Sequence, residues 1–197
     1  MKKGTIALIV IGVLVLIAIF SSIGKYNSLQ RMRESVKSQW ANVENQYQRR
    51  ADLIPNLVNT VKGYASHESS TLEAVTDARA RATQTQVNFE DLDEQTISRY
   101  NAAQGQLSSA LGRLMAIVES YPDLKANQNF RDLQVLLEGT ENRIATERKR
   151  FNDEARGYNT TIRQFPNNIL AGIFGFESIP YFNAEPGSEV APVVSFE

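Results

Sequence analysis

The chain has no cysteine, which excludes disulfides, thiolate zinc sites, a cysteine nucleophile and an N-terminal lipoprotein modification, while leaving the redox compartment open. Histidine occurs once, at His67, so a metal site or a Ser-His pair has a single imidazole to build on. His67 stands beside Glu68-Ser69-Ser70, a polar stretch where helix continuity is weakest, and a solvent-facing side chain is expected there. The Glu-x-x-His pairs with which helical bundles hold di-iron centres are missing: Glu138, Glu141 and Glu147 have no histidine three residues on. Gly172 and Gly175 lie in an apolar context without the Lys-Ser/Thr of a phosphate loop. An excess of one charge is missing too. With 21 Lys and Arg against 22 Asp and Glu, the net charge is −1, which gives no footprint for nucleic acid. Arg148-Lys149-Arg150 after Glu147, and Asp77 with Arg81 at helical i,i+4 spacing, read as solvated helix faces. No catalytic, cofactor-binding or metal-ligating set emerges, and no enzyme is expected.

What the sequence has instead is a long apolar run. Between Lys3 and Lys25 every residue is uncharged, and a helix of that length spans about 30 Å, the thickness of a bilayer's hydrocarbon core. Lys2 and Lys3 flank one end, Lys25, Arg31 and Arg33 the other, and Tyr26 falls where an aromatic ring sits at a membrane interface. Residues 1–25 are therefore expected to form a single-pass anchor. A cleaved signal peptide is the competing reading, since Ser22-Ile23-Gly24 offers small residues. The run exceeds a signal peptide's apolar core, and the sequence after it suits a helix rather than a linker. Basic residues on the two flanks nearly balance, so the side on which the remaining chain lies stays open. Lys25, Arg31, Arg33 and Lys37 are candidate contacts for anionic headgroups, each worth about 1 kcal/mol close to the surface.

Beyond the anchor, Leu29, Met32, Val36, Trp40, Val43, Tyr47, Ala51, Ile54, Val58, Val61, Ala65, Leu72 and Val75 recur in steps of three, four or seven, one helical stripe. The phase passes Pro55 without a slip. Either one very long helix is kinked there, or Asp52-Leu53-Ile54 turns and a second helix starts near Pro55. Carboxylates in Asn88-Phe89-Glu90-Asp91-Leu92-Asp93 suit the start of another helix, which runs through Ile97, Tyr100, Gln104, Leu107, Leu111, Leu114, Met115 and Val118 to about Tyr121, before Pro122. A last long stripe, Phe130, Leu133, Leu137, Ile144, Phe151, Ala155, Tyr158, Ile162 and Phe165, continues to Pro166. Period-two alternation is missing before the tail, so the fold class is all-α.

After Pro166, Ile169-Leu170-Ala171-Gly172-Ile173-Phe174-Gly175-Phe176 forms an apolar patch behind the cap-like Asn167-Asn168. Ile169, Leu170, Ile173, Phe174 and Phe176 are candidate interface residues. Three readings stand: a short helix docked on the end of the bundle, an interfacial membrane contact, or a subunit interface. The segment from Glu185 reads as a flexible tail with an extended apolar run, Val190 to Phe196, able to add to a neighbour.

The strings Gln48-Arg49-Arg50-Ala51-Asp52-Leu53-Ile54-Pro55-Asn56-Leu57-Val58, Val61-Lys62-Gly63-Tyr64-Ala65 and Leu136-Leu137-Glu138-Gly139-Thr140-Glu141-Asn142-Arg143-Ile144, with Tyr158-Asn159 and Phe165-Pro166-Asn167-Asn168, resemble the bacterial LemA family from the anchor into the tail. The resemblance implies a membrane-anchored, elongated, antiparallel four-helix up-and-down bundle over 26–166, with a short apolar helix and tail over 167–197. It implies no assigned enzymatic activity and a bacterial inner-membrane location, and some relatives in magnetotactic bacteria are associated with membrane invagination. On that pattern Pro55 fixes a bend or turn, Gly139 permits close helix approach and Asn167-Asn168 terminate the last long helix. The functional expectation is a self-associating scaffold, a homo-oligomer in contact with membrane lipid, that organises or shapes the membrane. The alternatives are an adaptor tethering another membrane protein or a protease, and an undetected hydrolase.

Overall fold

The computed structural model describes residues 3–183, and every regular element among them is helical. In order these are α1 (Lys3–Lys62), α2 (Ser69–Gln84), a 3-10 turn (Phe89–Asp91), α3 (Glu94–Val118), α4 (Pro122–Ala126), α5 (Gln128–Arg163) and α6 (Asn167–Phe174). The chain divides into two compact units: Met1–Gln39 with Asp153–Ile179, and Trp40–Asn152 with Pro180–Glu197. The expected extended run Val190 to Phe196 lies outside the described residues.

In the second unit one core draws Ile54, Leu57 and Val61 of α1, Leu72 and Val75 of α2, Leu107 and Leu114 of α3, Leu124 of α4 and Phe130 and Leu137 of α5. Each large side chain so removed from water contributes about 1.5–3 kcal/mol. Beside it lies an aromatic cluster: Trp40 stacks on Phe182 at 5.6 Å between ring centroids, and Phe151, Tyr100 and Tyr47 complete it through edge and tilted contacts at 5.3–5.6 Å.

Pro55 does not end α1: of the two readings the continuous helix is the one found, and Asp52-Leu53-Ile54 makes no turn. A proline lacks the N–H that would bond the carbonyl four residues back, here that of Ala51, which is buried. Arg79 of α2 supplies the missing donor, its Nε bonding the Ala51 oxygen at 2.7 Å. The pyrrolidine ring faces outward, so the helix continues. The chain turns at 63–68 instead, where His67 is exposed, and Tyr121 Oη there donates to Glu68 Oε1 at 3.0 Å.

The carboxylates expected to start α3 do so. Asp93 is the N-cap: Thr96 N–H donates to its Oδ1 at 2.6 Å while the Asp93 N–H bonds the Thr96 hydroxyl, a reciprocal capping box. The helix stops at Val118, short of Tyr121, because Pro122 opens the separate short helix α4 at a position where a missing N–H costs nothing.

In the first unit Leu29 and Val36 of α1 and Ala155, Tyr158 and Ile162 of α5 are buried, and Ser35 Oγ donates to Glu154 Oε2 at 3.0 Å. Two expectations change. Gly139 is exposed and a Cβ there would meet nothing; the glycine of α5 that faces a neighbour is Gly157, 4.0 Å from Met32 Cε. Asn167-Asn168 do not terminate the long helix, which ends at Arg163, but open α6. Asn167 Nδ2 still serves the earlier helix, bonding the Thr161 carbonyl at 3.2 Å.

Candidate functional site

The first unit carries two apolar surfaces of one chemistry. On α1 the large side chains from Leu8 to Ile23 are at least half exposed, as a helix bordered by lipid would present them, and this helix is long and apolar enough to cross a membrane. On α6, Ile169, Ile173 and Phe174 are exposed at 53%, 69% and 50%, and Phe165, counted in the α5 stripe, is 81% exposed in the turn before it. Leu170 is half-buried. Phe176 departs from the expected patch because it is buried.

Tyr26 explains that burial. Its ring meets Phe174 edge-on at 4.9 Å and Phe176 at 5.6 Å, which fastens α6 to the first residue after the apolar run and its Lys25. Between them is a crevice of about 550 Å³ lined by Val15, Ile19, Ser22, Ile23, Tyr26 and Phe174. The chain leaves α6 through Gly175 at φ 71°, the left-handed conformation glycine adopts without penalty. It then runs extended to Ile179, whose N–H and C=O are both bonded by Asn159, at 2.9 and 2.8 Å. Arg163 Nη2 donates to Ser178 Oγ at 3.1 Å. Below this strap the Tyr158 hydroxyl is buried without a partner, and burial pushes its acidity below that of an ordinary phenol, against the pull of Arg33.

Of the candidate headgroup contacts, Arg31 and Lys37 are exposed and Lys25 and Arg33 half-buried. Along α1, Arg31 lies about 9 Å beyond Lys25, Arg33 about 12 Å and Lys37 about 18 Å. For comparison, the headgroup layer on each side of a bilayer's hydrocarbon core is about 6 Å deep.

The second unit holds the charged arrangement that reads most like a site. Arg50 is buried. Its Nη1 donates to Ser108 Oγ at 2.9 Å and Glu141 Oε1 at 2.8 Å, its Nη2 to Gln104 Oε1 at 2.6 Å, and its guanidinium lies 5.1 Å from the Tyr47 ring centre. The cation is spent on its own chain, tying α1 to α3 and α5. Sequence reasoning assigned it no role, yet Arg50 occupies a core phase between Tyr47 and Ile54, and a charge on an apolar stripe signals a buried pair. A smaller polar crevice of about 220 Å³ nearby includes Glu44, Tyr47, Gln48, Tyr100 and Gln104. Burial raises the Glu44 carboxyl, against the Trp40 hydrogen bond, and raises both phenols. Among the described residues no group of three or more His, Asp or Glu is placed to hold a metal ion.

Also unforeseen was the end of the strap in this unit, which lies in a stretch without periodicity. Asn152 bonds both N–H and C=O of Phe182, at 2.9 and 2.8 Å. Arg148, expected to be solvated, lies 4.9 Å from the Phe182 ring centre and donates to the Asn183 carbonyl at 2.9 Å. Its neighbour Arg150 is exposed and pairs with Glu147 at 2.9 Å.

Residues 39–196 match the sequence model of the LemA family. Magnetosome protein MamQ of Magnetospirillum gryphiswaldense is 30% identical over 214 residues, covering 99% of this chain and 78% of that protein. Magnetosome protein MamQ 2 of Paramagnetospirillum magneticum is 32% identical over 207 residues, 96% of this chain and 76% of the relative. Protein LemA of Metamycoplasma hominis is 23% identical over 165 residues, 84% and 72% respectively.

Proposed function

The chain belongs to the LemA family, and on that premise we propose that it is a membrane-anchored, self-associating helical scaffold that organises or shapes the bacterial membrane. The observation that carries this reading is α1: one helix whose large apolar side chains from Leu8 to Ile23 are exposed and whose residues Val36, Trp40, Val43, Ile54, Leu57 and Val61 build cores. The anchor is single-pass in the inner membrane, and Lys25 and Arg31 meet the headgroups. The helical body is an antiparallel up-and-down bundle of four long helical segments, from α1, α2, α3 and α5, a topology supported by the core they share. Its role is assembly rather than catalysis. Arg50, the buried cation, is engaged by its own chain, His67 is exposed, and relatives along nearly the whole chain are named as magnetosome proteins.

Self-association is supported by exposed apolar residues away from the anchor: Val135 and Leu136 of α5 are 66% and 44% exposed beside the bare Gly139, a surface on which a second helix can lie closely. The test is the number of copies per particle when the full chain is reconstituted in nanodiscs at rising protein-to-disc ratio. Two or more copies per disc, lowered by Val135→Lys, is the expected result. One copy per disc at every ratio overturns the scaffold.

A further inference from the structure

We infer that α6 is a second membrane contact: it lies in the boundary between headgroups and acyl chains beside the anchor, and the crevice it forms with α1 takes a phospholipid acyl chain. The inference rests on the reading of α1 as a membrane anchor and assigns the partner of the α6 face. No charged residue occurs between Arg163 and Glu177, so all of α6 and the turn before it can leave water without desolvating an ion. Its outward face is Ile169, Ile173 and Phe174, with Phe165 just upstream.

Depth selects lipid over another occupant. Lys25 closes the uncharged run, and Ile19 and Val15 lie about 9 and 15 Å further into it, while half the hydrocarbon core is about 15 Å. Phe174 lines one crevice with both of them and with Tyr26. A residue sharing walls with the membrane-facing part of α1 is itself at membrane depth, and its exposed surface is continuous with the surface of the anchor. Interfacial helices bury their apolar face about 5–10 Å into this boundary, the level of Ile19, and Val15 carries the crevice on toward the acyl-chain interior. Its wall carries no charge, and its polar groups are the Ser22 and Tyr26 hydroxyls, the latter already accepting from Gln30, so an acyl chain fits its chemistry and a charged ligand does not.

The absence of cysteine makes the test direct. Ile173→Cys in the full chain gives one labelling site on an exposed residue. The labelled control is placed at Ala102→Cys, exposed on α3 and away from the Val135 surface; it and the 173 variant carry an environment-sensitive fluorophore and are reconstituted in nanodiscs of phosphatidylethanolamine and phosphatidylglycerol, with or without lipids bearing a shallow or a deep nitroxide. The expected result is blue-shifted emission at position 173 that the shallow nitroxide quenches by at least about twofold and more than the deep one, with the control unquenched. Water-like emission at 173 overturns the inference, and so does a blue shift without quenching, which means that protein covers the face. Copy number measured on the same discs separates the two proposals: quenching in single-copy discs sinks the scaffold and keeps the interface, and multiple copies without quenching do the reverse.

Discussion

Replacing Arg50 tests whether this buried cation ties its unit together. Arg50→Ala removes four hydrogen bonds of the guanidinium and the packing of a long stem. The amide oxygen of Gln104 is left without its donor in a site 6% exposed, at about 1–3 kcal/mol. The lost stem adds about 1–2 kcal/mol, offset in part by no longer desolvating a charge. The loss of Glu141 contributes little, because that side chain is 44% exposed and water replaces its partner. The net expectation is about 3 kcal/mol for Arg50→Ala and about 1–2 kcal/mol for Arg50→Met, which restores the stem but not the bonds. Glu141→Gln, keeping an acceptor, should cost about 0.5–1 kcal/mol after screening. Trp40 is the only tryptophan of the chain and lies in the same unit, so its emission during urea unfolding of the detergent-solubilised chain reports the midpoint. A cost below about 1 kcal/mol for Arg50→Ala, or an equal cost for Glu141→Gln, would refute the reasoning.

Four further outcomes follow from the same geometry. Arg79→Ala orphans the Ala51 carbonyl and should cost about 1–2 kcal/mol, falling to near zero in a Pro55→Ala background that restores the N–H; an unchanged cost there contradicts the repair. Asn152→Ala should free Phe182 and shift Trp40 emission to the red without lowering helical circular dichroism, and an unshifted spectrum argues against the clamp. The hydrogen bond to Glu68 raises the Tyr121 phenol above the usual value of 10.0, so that part of stability is whole below that pH and is lost as pH rises through the higher folded value; phenolate absorbance should show Tyr121 titrating earlier in Glu68→Gln. Gly175→Ala forces a side chain into left-handed backbone at about 1 kcal/mol, and faster amide exchange at Phe176 than in the parent chain is the expected sign.

Much of the helical body was legible because period and burial agree. From Trp40 to Ile54, and from Ile97 to Leu114, the apolar phase in the sequence names the residues that the cores bury. Pro55 left two readings open because intrinsic propensity is local, while the donor that mends the helix comes from Arg79 on another helix. Gly139 misled for a related reason: a glycine on a helix fits close approach and bare surface equally, and only the neighbour decides, as Met32 does at Gly157. The site was legible in composition and not in depth. An apolar run after Pro166 was visible, but that Phe176 turns inward while Ile173 stays out depends on Tyr26, which lies about 150 residues earlier in the sequence. The strap was invisible, since Asn152 and Asn159 recognise backbone rather than any side-chain pattern.

The bond between Arg79 and the Ala51 carbonyl also orders the substitutions this part of the chain can accept. Replacing Pro55 first is permissive: the helix gains its own donor and Arg79 becomes redundant. Replacing Arg79 first leaves a buried acceptor bare, and the intermediate is the least stable of the four combinations. Two residues 24 positions apart therefore form a one-way path, along which lineages are expected to lose the proline before the arginine, and an arginine without the proline should outnumber the reverse.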